Sequence, residues 1–278
     1  TYYTVAIRIN PDDAHAYNNR GNACDELGQY DKAIADYTEA IRIDPDYAVA
    51  YNNRGSAYDQ LGQSDKAIAD YTEAIRAYYA SVSYMDAMTG KVVKALEKSG
   101  QRDNTIVIFT SDNGALIREG GGSNGPLRAS KGTTWEGGQR VPCIVRWPGT
   151  VPPARVVSDV ANAMALYPTI AGWCSVDIPD DRTLDGRDLG GLLSGGDGPG
   201  ANPFFYILGG NIEAVRLGRW KLHVRKWNEE RVRLYDLEAD ISESNNVAAN
   251  NPKVVARLKK IMTREHTPSE FYPIKPLD

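Results

Sequence analysis

Two oxygen-bearing side chains follow directly after an apolar segment in the middle of the chain. Residues 106–110 read IVIFT, a β-branched and aromatic run that predicts a buried strand, and Asp112 and Asn113 come just after it. Open α/β sheets build their sites at the carboxyl ends of such strands. Carboxylate and carboxamide oxygens are ligands that a hard cation such as calcium prefers. The pair therefore predicts a metal-binding strand end.

A lysine follows in a glycine-rich loop. Lys131 opens the segment KGTTWEGGQRVP at 131–142. An ammonium group beside an ester oxygen stabilises negative charge that develops on a leaving group, so this lysine is a candidate for electrostatic catalysis. Both features also have plainer interpretations. Asp112-Asn113-Gly114 taken alone is a common tight turn, and an isolated lysine is more often a solvated surface residue.

The elements that must position these residues begin after a repeated region. The hexapeptide AYNNRG occurs at 16–21 and at 50–55, and the dodecapeptide DKAIADYTEAIR occurs at 31–42 and at 65–76. Both recurrences give a period of 34 residues. A fixed period of this length is the signature of a helical repeat.

The period and its small residues resemble the tetratricopeptide repeat. Gly21 and Ala33 stand where paired helices approach closely, and Pro45 stands where the second helix stops. Arg20 occupies a position at which many such repeats have leucine. The resemblance implies helical hairpins that present a concave surface to a peptide or protein partner. The implied bounds are 1–76 for the whole region, 1–10 for a partial repeat, and about 11–44 and 45–76 for two full repeats.

The second repeat ends differently from the first, because Tyr78-Tyr79 replaces the Asp-Pro stop and no new stop appears before Gly100. Apolar residues keep alternating spacings of three and four across the boundary, which is typical of a helix. We therefore predict one continuous helix from about Ser64 to Lys98, with Gly90 as its weakest point. The residues with this spacing are Ile68, Tyr71, Ile75, Tyr78, Val82, Met85, Val92 and Leu96.

Beyond Gly100 the pattern changes to α/β, with short strands and turn-rich connections. The last four strands and the last helix predict a small antiparallel sheet with a helix packed on it. The predicted strands are 105–110, 142–147, 204–208, 212–217, 220–225 and 231–237, and the predicted helices are 159–172 and 252–263. The fold class is therefore α/β (α+β).

Composition excludes several classes of protein. The chain has 278 residues, 42% of them hydrophobic and 24% charged, with a net charge of −4, so neither disorder nor a nucleic-acid backbone binder is indicated. It contains no apolar run of membrane-spanning length and no secretion-signal pattern, so no membrane association is expected and the compartment stays open. Cys24, Cys143 and Cys174 are too scattered for a disulfide framework or a zinc site, and we expect them to be small buried hydrophobes.

From about Ala77 to its end the chain resembles the C-terminal part of the sulfatases, most closely the branch of arylsulfatase A and N-acetylgalactosamine-6-sulfatase. The resemblance implies a truncated alkaline-phosphatase-like α/β portion at 77–200 and a C-terminal subdomain at 201–278, fused behind the repeats. It rests on motifs in a fixed order: SDNGA at 111–115, GGSNGP at 121–126, KGTTWEGGQRVP at 131–142, RWPG at 146–149, LDGRDL at 184–189, AVRLGRWKLH at 214–223 and LYDLEAD at 234–240.

The resemblance assigns roles to the candidate residues. Asp112 and Asn113 would be calcium ligands, Lys131 would contact the sulfate group, and the ligand would be a sulfate ester. Sulfatases attack sulfur with a formylglycine made from Cys or Ser in a Cys/Ser-x-Pro-x-Arg motif. These 278 residues contain no such motif, so formylglycine is not possible in this chain. His223 matches no catalytic histidine of the family and is interpreted as a strand residue with a structural role.

Three functions are compatible with these features. The first is a sulfatase-family protein related to sulfuric ester hydrolases, incomplete as a catalyst because the formylglycine motif is absent. The second is a tetratricopeptide module that binds proteins and carries an inactive sulfatase-like scaffold. The third is a product of gene fusion or truncation that has no selected function.

Overall fold

The computed structural model describes residues 2–117, 122–181, 184–226 and 230–264. The chain divides into two compact units. The first comprises 1–99 with 116–123, and the second comprises 100–115 with 124–278. The predicted domain bounds at 76 and 200 are not decided by this division and remain predictions.

Paired helices occupy the first unit. Asp13 caps α2 by accepting a hydrogen bond of 3.0 Å from the backbone N–H of Ala16. Gly28 and Gly62 adopt φ of +71° and +69° in the turns within the two pairs, a conformation that favours glycine. The helices are α1 (Tyr2–Ile9), α2 (Ala14–Glu26), α3 (Tyr30–Ile43), α4 (Ala48–Gln60) and α5 (Ser64–Lys98).

The helices of each pair are joined by a tyrosine–glycine contact and by an ion pair. The Tyr37 ring is buried against Gly21, where an added Cβ would lie 2.6 Å from the ring. Arg20 donates from Nε and Nη2 to both carboxylate oxygens of Asp36, at 2.8 and 2.6 Å. The second pair repeats the arrangement with Arg54 and Asp70. In each pair a bidentate arginine–aspartate ion pair therefore joins the two helices.

The continuous helix predicted from Ser64 to Lys98 is confirmed, because α5 has these bounds. Its buried residues all lie in its first half, which packs against α4: Ala67, Asp70, Ala74 and Ala77. Beyond Ala77 the helix exposes apolar side chains, including Val82, Met85 and Val92.

The described part of the second unit contains two separate sheets. Strands β1 (Val107–Thr110) and β2 (Cys143–Arg146) pair antiparallel, with Val107 opposite Arg146. The prediction that β1 is a buried strand of an open sheet was wrong for the described residues, because β1 is half-buried and pairs with β2 alone. The other sheet is the predicted antiparallel one, in the order β3-β4-β5-β6. Its strands are β3 (Phe204–Leu208), β4 (Asn211–Leu217), β5 (Trp220–Lys226) and β6 (Glu230–Asp236).

One face of the four-stranded sheet forms the core of this unit. Helix α9 (Pro252–Arg264) packs on that face, as the alternation of apolar residues predicts. The core residues are Ile212, Val215, Leu222, Val224, Leu234, Leu258 and Met262. Short helices complete the unit: α6 (Glu136–Gln139), α7 (Leu166–Trp173), α8 (Gly190–Leu193), and 3₁₀ turns at Ala163–Ala165 and Ala248–Asn250.

Two sequence predictions need correction. The helix expected over 159–172 begins only at Ala163, as a 3₁₀ turn that Asn162 caps by accepting a hydrogen bond from the backbone N–H of Ala165. Cys143 and Cys174 are exposed and not buried, whereas Cys24 is half-buried and packs in the repeat core. Cys143 is the first residue of β2. Among the described residues, no helix has the length and apolarity needed to span a membrane.

Two glycine substitutions test the helix contacts. We expect Gly21→Ala to lower the free energy of unfolding by about 1–2 kcal/mol, because the new methyl group collides with the buried Tyr37 ring. Gly90→Ala should raise it by about 1 kcal/mol, since a Cβ there meets no atom within 4 Å and alanine favours helix. Urea denaturation measures both. If both substitutions changed the free energy of unfolding equally and in the same direction, the close contact between Gly21 and Tyr37 would be contradicted.

Candidate functional site

The strand-end turn places its polar residues at the surface. Asp112 follows β1 and is exposed, and Asn113 is half-buried. The Ser111 hydroxyl donates a hydrogen bond of 3.1 Å to the backbone carbonyl of Asn113, which closes the turn. Within the described residues, the Asp112 carboxylate accepts a long hydrogen bond of 3.5 Å from the Ser111 hydroxyl.

Backbone hydrogen bonds join this turn to the lysine loop, defined as residues 128–138. The N–H of Gly114 donates to the carbonyl of Gly138 at 3.1 Å, and the N–H of Lys131 donates to the carbonyl of Ala115 at 3.2 Å. A Cβ at Gly114 would collide with the carbonyl oxygen of Gly137, so only glycine permits this approach. The two segments singled out in the sequence are therefore neighbours.

The Asn124 side chain forms hydrogen bonds to both the turn and the lysine loop. Its Oδ1 accepts a hydrogen bond of 2.8 Å from the N–H of Ala115, and its Nδ2 donates to the carbonyl of Ala129 at 2.9 Å. Ala129 has φ of +60°, a left-handed conformation that is unfavourable for a residue with a Cβ. One amide side chain thus fixes the turn and a strained point of the lysine loop together.

A buried ionic network lies beside the lysine loop. The Lys221 ammonium, fully buried, bridges the carboxylates of Glu136 and Glu243 at 2.8 and 3.0 Å. Arg216 donates to the other oxygen of Glu136 at 3.1 Å, and the Tyr206 hydroxyl donates to Glu136 Oε1 at 2.8 Å. Two carboxylates therefore face two cations, which balances the charge of the network.

Glu243 ties the network to the loop backbone. Its Oε2 accepts the N–H of Glu136 at 2.8 Å, and its Oε1 contacts His223 Nε2 at 3.2 Å. The Trp135 ring stacks on the His223 ring with centroids 4.1 Å apart, and the Arg128 guanidinium lies over Trp135 at 3.8 Å. The loop is thus held by charge, by hydrogen bonds and by ring stacking.

The pleat of β5 explains why these polar groups share a face. Leu222 and Val224 point into the core under α9, so Lys221 and His223 point to the opposite face. In the register of the sheet, Arg216 pairs with Lys221. Sequence reasoning missed the network. The available signal was the alternation of WKLHV at 220–224, which places a lysine and a histidine between two apolar residues of a central strand.

Burial and partners shift the pKa values of the network in definite directions. Burial alone would raise the pKa of Glu136, but the charges of Lys221 and Arg216 and the hydrogen bonds from Lys221 and Tyr206 outweigh it, so that pKa is lowered. Burial lowers the pKa of His223, and the nearby Lys221 charge adds to this, while the contact with Glu243 opposes it. Glu136 is therefore held ionised and His223 neutral.

The donor set fits only part of a calcium site. Asp112 and Asn113 supply hard oxygen ligands of the right type, but calcium takes about six to eight of them. Among the described residues, no group of three or more His, Cys, Asp or Glu side chains lies close enough to hold a metal ion. The described residues therefore provide an incomplete set of calcium ligands.

An open cleft of about 430 Å³ lies elsewhere in the second unit. Arg140, Arg187 and Arg219 line it together with Asp159 and Asp185, whereas the three predicted site residues do not. Arg187 and Arg219 have partners in Asn202 and Asp236. The cleft is thus distinct from the junction of the turn and the lysine loop.

Comparison with known proteins identifies the family. The Sulfatase family profile matches residues 10–176, more than half of the chain. The chain belongs to the sulfatase family. A second profile, N-sulphoglucosamine sulphohydrolase, C-terminal, matches residues 130–267. The first match begins upstream of residue 77, where the sequence motifs led us to expect the resemblance to start.

The sulfatases that it resembles are longer proteins. Steryl-sulfatase of Mus musculus is 43% identical over 148 residues, which cover 50% of this chain and 24% of that protein. N-acetylgalactosamine-6-sulfatase of Canis lupus familiaris is 39% identical over 153 residues, or 54% and 29% of the two chains. This sulfatase-family chain thus spans about a quarter of the length of these curated relatives.

Solved structures agree on the fold of the matched part. The crystal structure of Ps i-CgsB has a TM-score of 0.58 and 32% identity, covering 71% of this chain and 42% of that one. The structure of BT4656 in complex with its substrate D-glucosamine-2-N,6-O-disulfate has a TM-score of 0.58 and 26% identity, covering 76% and 46%. The mixed α/β architecture with its small antiparallel sheet and helix is therefore that of sulfatases.

His223 makes the stability of this sulfatase-family chain depend on pH. The pKa of His223 is 6.5 in the unfolded chain and lower in the folded protein, so the unfolded chain binds a proton at a higher pH. The free energy of unfolding should therefore fall as pH drops from 7 to 5. The loss is at most about 1.4 kcal/mol per pH unit. Depression of the Glu136 pKa adds a further loss below its ordinary value of 4.5.

His223→Gln should flatten the slope between pH 7 and 5, as measured by urea denaturation at fixed ionic strength. The groups facing His223 are Glu243, Lys221 and Glu213, and all three stay in place in this variant. His15→Gln changes an exposed histidine and serves as the control. Equal slopes in the wild type and His223→Gln would refute the assignment.

Proposed function

We propose that this chain binds the sulfate ester in a sulfatase. In this proposal Asp112 and Asn113 are oxygen ligands for calcium, and Lys131 contacts the sulfate group. The observation that carries this proposal is the pair of backbone hydrogen bonds joining the strand-end turn to the lysine loop. They bring the Lys131 backbone next to the residue that follows Gly114. A carboxylate, a carboxamide and an ammonium group are then available to one ligand.

The chemistry that this site serves is cleavage of the sulfur–oxygen bond of a sulfate ester. Calcium, when bound, supplies positive charge that anchors the sulfate group. The Lys131 ammonium holds the negative charge that develops on the departing ester oxygen. The printed residues contain no Cys/Ser-x-Pro-x-Arg sequence, so the covalent nucleophile is not one of them. We propose that the chain alone is incomplete as a catalyst and that its ligands are sulfated sugars.

Calcium binding is the first test of the site. Isothermal calorimetry of the wild type should show weak binding, with a Kd of about 10⁻⁴–10⁻³ M because the ligands are few. Asp112→Ala should abolish the heat. Asp177→Ala, which removes an exposed aspartate outside the turn, should leave it unchanged. Binding that survives in Asp112→Ala would place the cation elsewhere and reject the assignment.

A second candidate function is peptide binding by the helical repeats, which we propose to be tetratricopeptide repeats. A cluster of amide side chains between α2 and α4 favours it. Asn53 Nδ2 donates to Asn18 Oδ1 at 3.1 Å and to Asn22 Oδ1 at 3.0 Å, and the Tyr37 hydroxyl also donates to Asn22 Oδ1, at 2.9 Å. Asn18 is buried, whereas Asn22 and Asn53 are half-buried, so their remaining amide donors and acceptors can match a peptide backbone.

Selection from a displayed peptide library tests this second function. We expect a peptide that binds with a micromolar Kd, with a loss of about tenfold in Asn53→Ala because the amide cluster loses its shared donor. Asn19→Ala changes an exposed neighbour and is the matched control. Binding should also persist in Asp112→Ala and Lys131→Ala. Failure to select any peptide, or equal affinity in Asn53→Ala, would exclude this function.

A further inference from the structure

The most deeply buried charges of the second unit lie beneath the lysine loop and not at the predicted ligands. Lys221 and Glu243 are 0% exposed and Glu136 is 1% exposed, whereas Lys131 and Asp112 are exposed. A buried ion pair stabilises a fold no better than apolar residues of similar volume do. Stability alone therefore does not account for a lysine between two glutamates on a sheet face.

We propose that Lys221 is a positioning residue for the sulfate site, acting through Glu136 and Glu243 on the lysine loop and on the strand-end turn. This inference rests on the proposed function of Asp112, Asn113 and Lys131. Lys221 touches neither the metal nor the sulfate group. Its role is to fix the backbone that carries the residues which do.

The first step of the argument is the bridge itself. The Lys221 ammonium contacts one carboxylate from the lysine loop and one from the segment after β6, at 2.8 and 3.0 Å. Its third side faces the Tyr206 ring, whose centroid lies 4.0 Å away. A compact ammonium with three rotatable donors suits this three-sided cage, whereas the planar fork of an arginine does not.

The second step is the path from the bridge to the turn. Glu243 Oε2 accepts the N–H of Glu136, which fixes the start of α6. Two residues later, the carbonyl of Gly138 accepts the N–H of Gly114. Glu136 therefore lies two residues from the point at which the loop holds the turn, and Asp112 lies two residues before Gly114.

The third step is backbone strain at the same place. Glu243 and Ala129 adopt φ of +51° and +60°, which side chains with a Cβ rarely adopt. Arg128 Nη1 donates to the carbonyl of Glu243 at 2.6 Å, and the Asn124 amide holds the carbonyl of Ala129. Strained residues persist where the surroundings over-determine them, and they concentrate at functional sites. Both strained residues here touch the lysine loop or belong to it.

Amide hydrogen exchange measures the positioning directly. In Lys221→Arg, which keeps the charge, the N–H groups of Gly114 and Lys131 should exchange at least tenfold faster than in the wild type, because both bonds depend on the loop. The N–H of Leu237 bonds to the carbonyl of Arg219 outside the loop, and its rate should not change. Unchanged rates at Gly114 and Lys131 would overturn the proposal.

A double-mutant cycle with inorganic sulfate then links positioning to the ligand. Calorimetry at low ionic strength should show about tenfold weaker binding in Lys221→Arg than in the wild type. In a Lys131→Ala background, Lys221→Arg should cause no further loss, because its effect passes through the loop. Additive losses would mean that Lys221 acts by general stability and would reject the positioning role.

The outcomes separate this inference from the proposed function. If the wild type binds no sulfate, or if Lys131→Ala binds sulfate as tightly as the wild type, the proposed function fails. The exchange rates then still decide whether Lys221 positions the lysine loop and the turn. Arg219→Met breaks an exposed ion pair with Asp236 in the same sheet and should alter neither sulfate binding nor exchange at Gly114. Circular dichroism confirms the fold of each variant.

Discussion

The Lys221 ammonium, buried between two carboxylates, is the interaction on which the second unit depends. Removing a charge from water is costly unless partners replace the lost hydration, and the carboxylates of Glu136 and Glu243 and the face of the Tyr206 ring do so here. Because Glu136 belongs to the lysine loop, satisfying the lysine also fixes that loop. One electrostatic requirement thus couples a sheet face to a surface turn that lies more than twenty residues before Glu136 in the chain.

The helical unit uses a different principle. Its pairs approach closely because glycine leaves room for a buried tyrosine ring, and an arginine–aspartate ion pair beside that contact fixes the register. Both contacts recur after 34 residues. The repeat therefore preserves a packing geometry between its two copies.

Because the chain belongs to the sulfatase family, we propose a chemical role for the junction of the strand-end turn and the lysine loop. A hard-oxygen pair and an ammonium group are what a sulfate ester and its cation need, and in this structure backbone hydrogen bonds join Gly114 and Ala115, the two residues after Asn113, to the lysine loop. The described residues nevertheless contain no group of three or more His, Cys, Asp or Glu side chains that could hold a metal ion. Under the proposed function, further metal ligands and the nucleophile must therefore come from other residues.

Local and periodic features followed from the sequence alone. The repeat, the unbroken helix from Ser64 to Lys98 and the four antiparallel strands were predictable, because each depends on side-chain spacing within one segment. The candidates Asp112, Asn113 and Lys131 came from motif resemblance. Only the tertiary structure revealed that β1 pairs with no described strand other than β2 and that Lys221 joins Glu136 to Glu243. Such contacts link residues about 20 to 85 positions apart, and charge burial depends on what covers a face, which spacing along one strand does not specify.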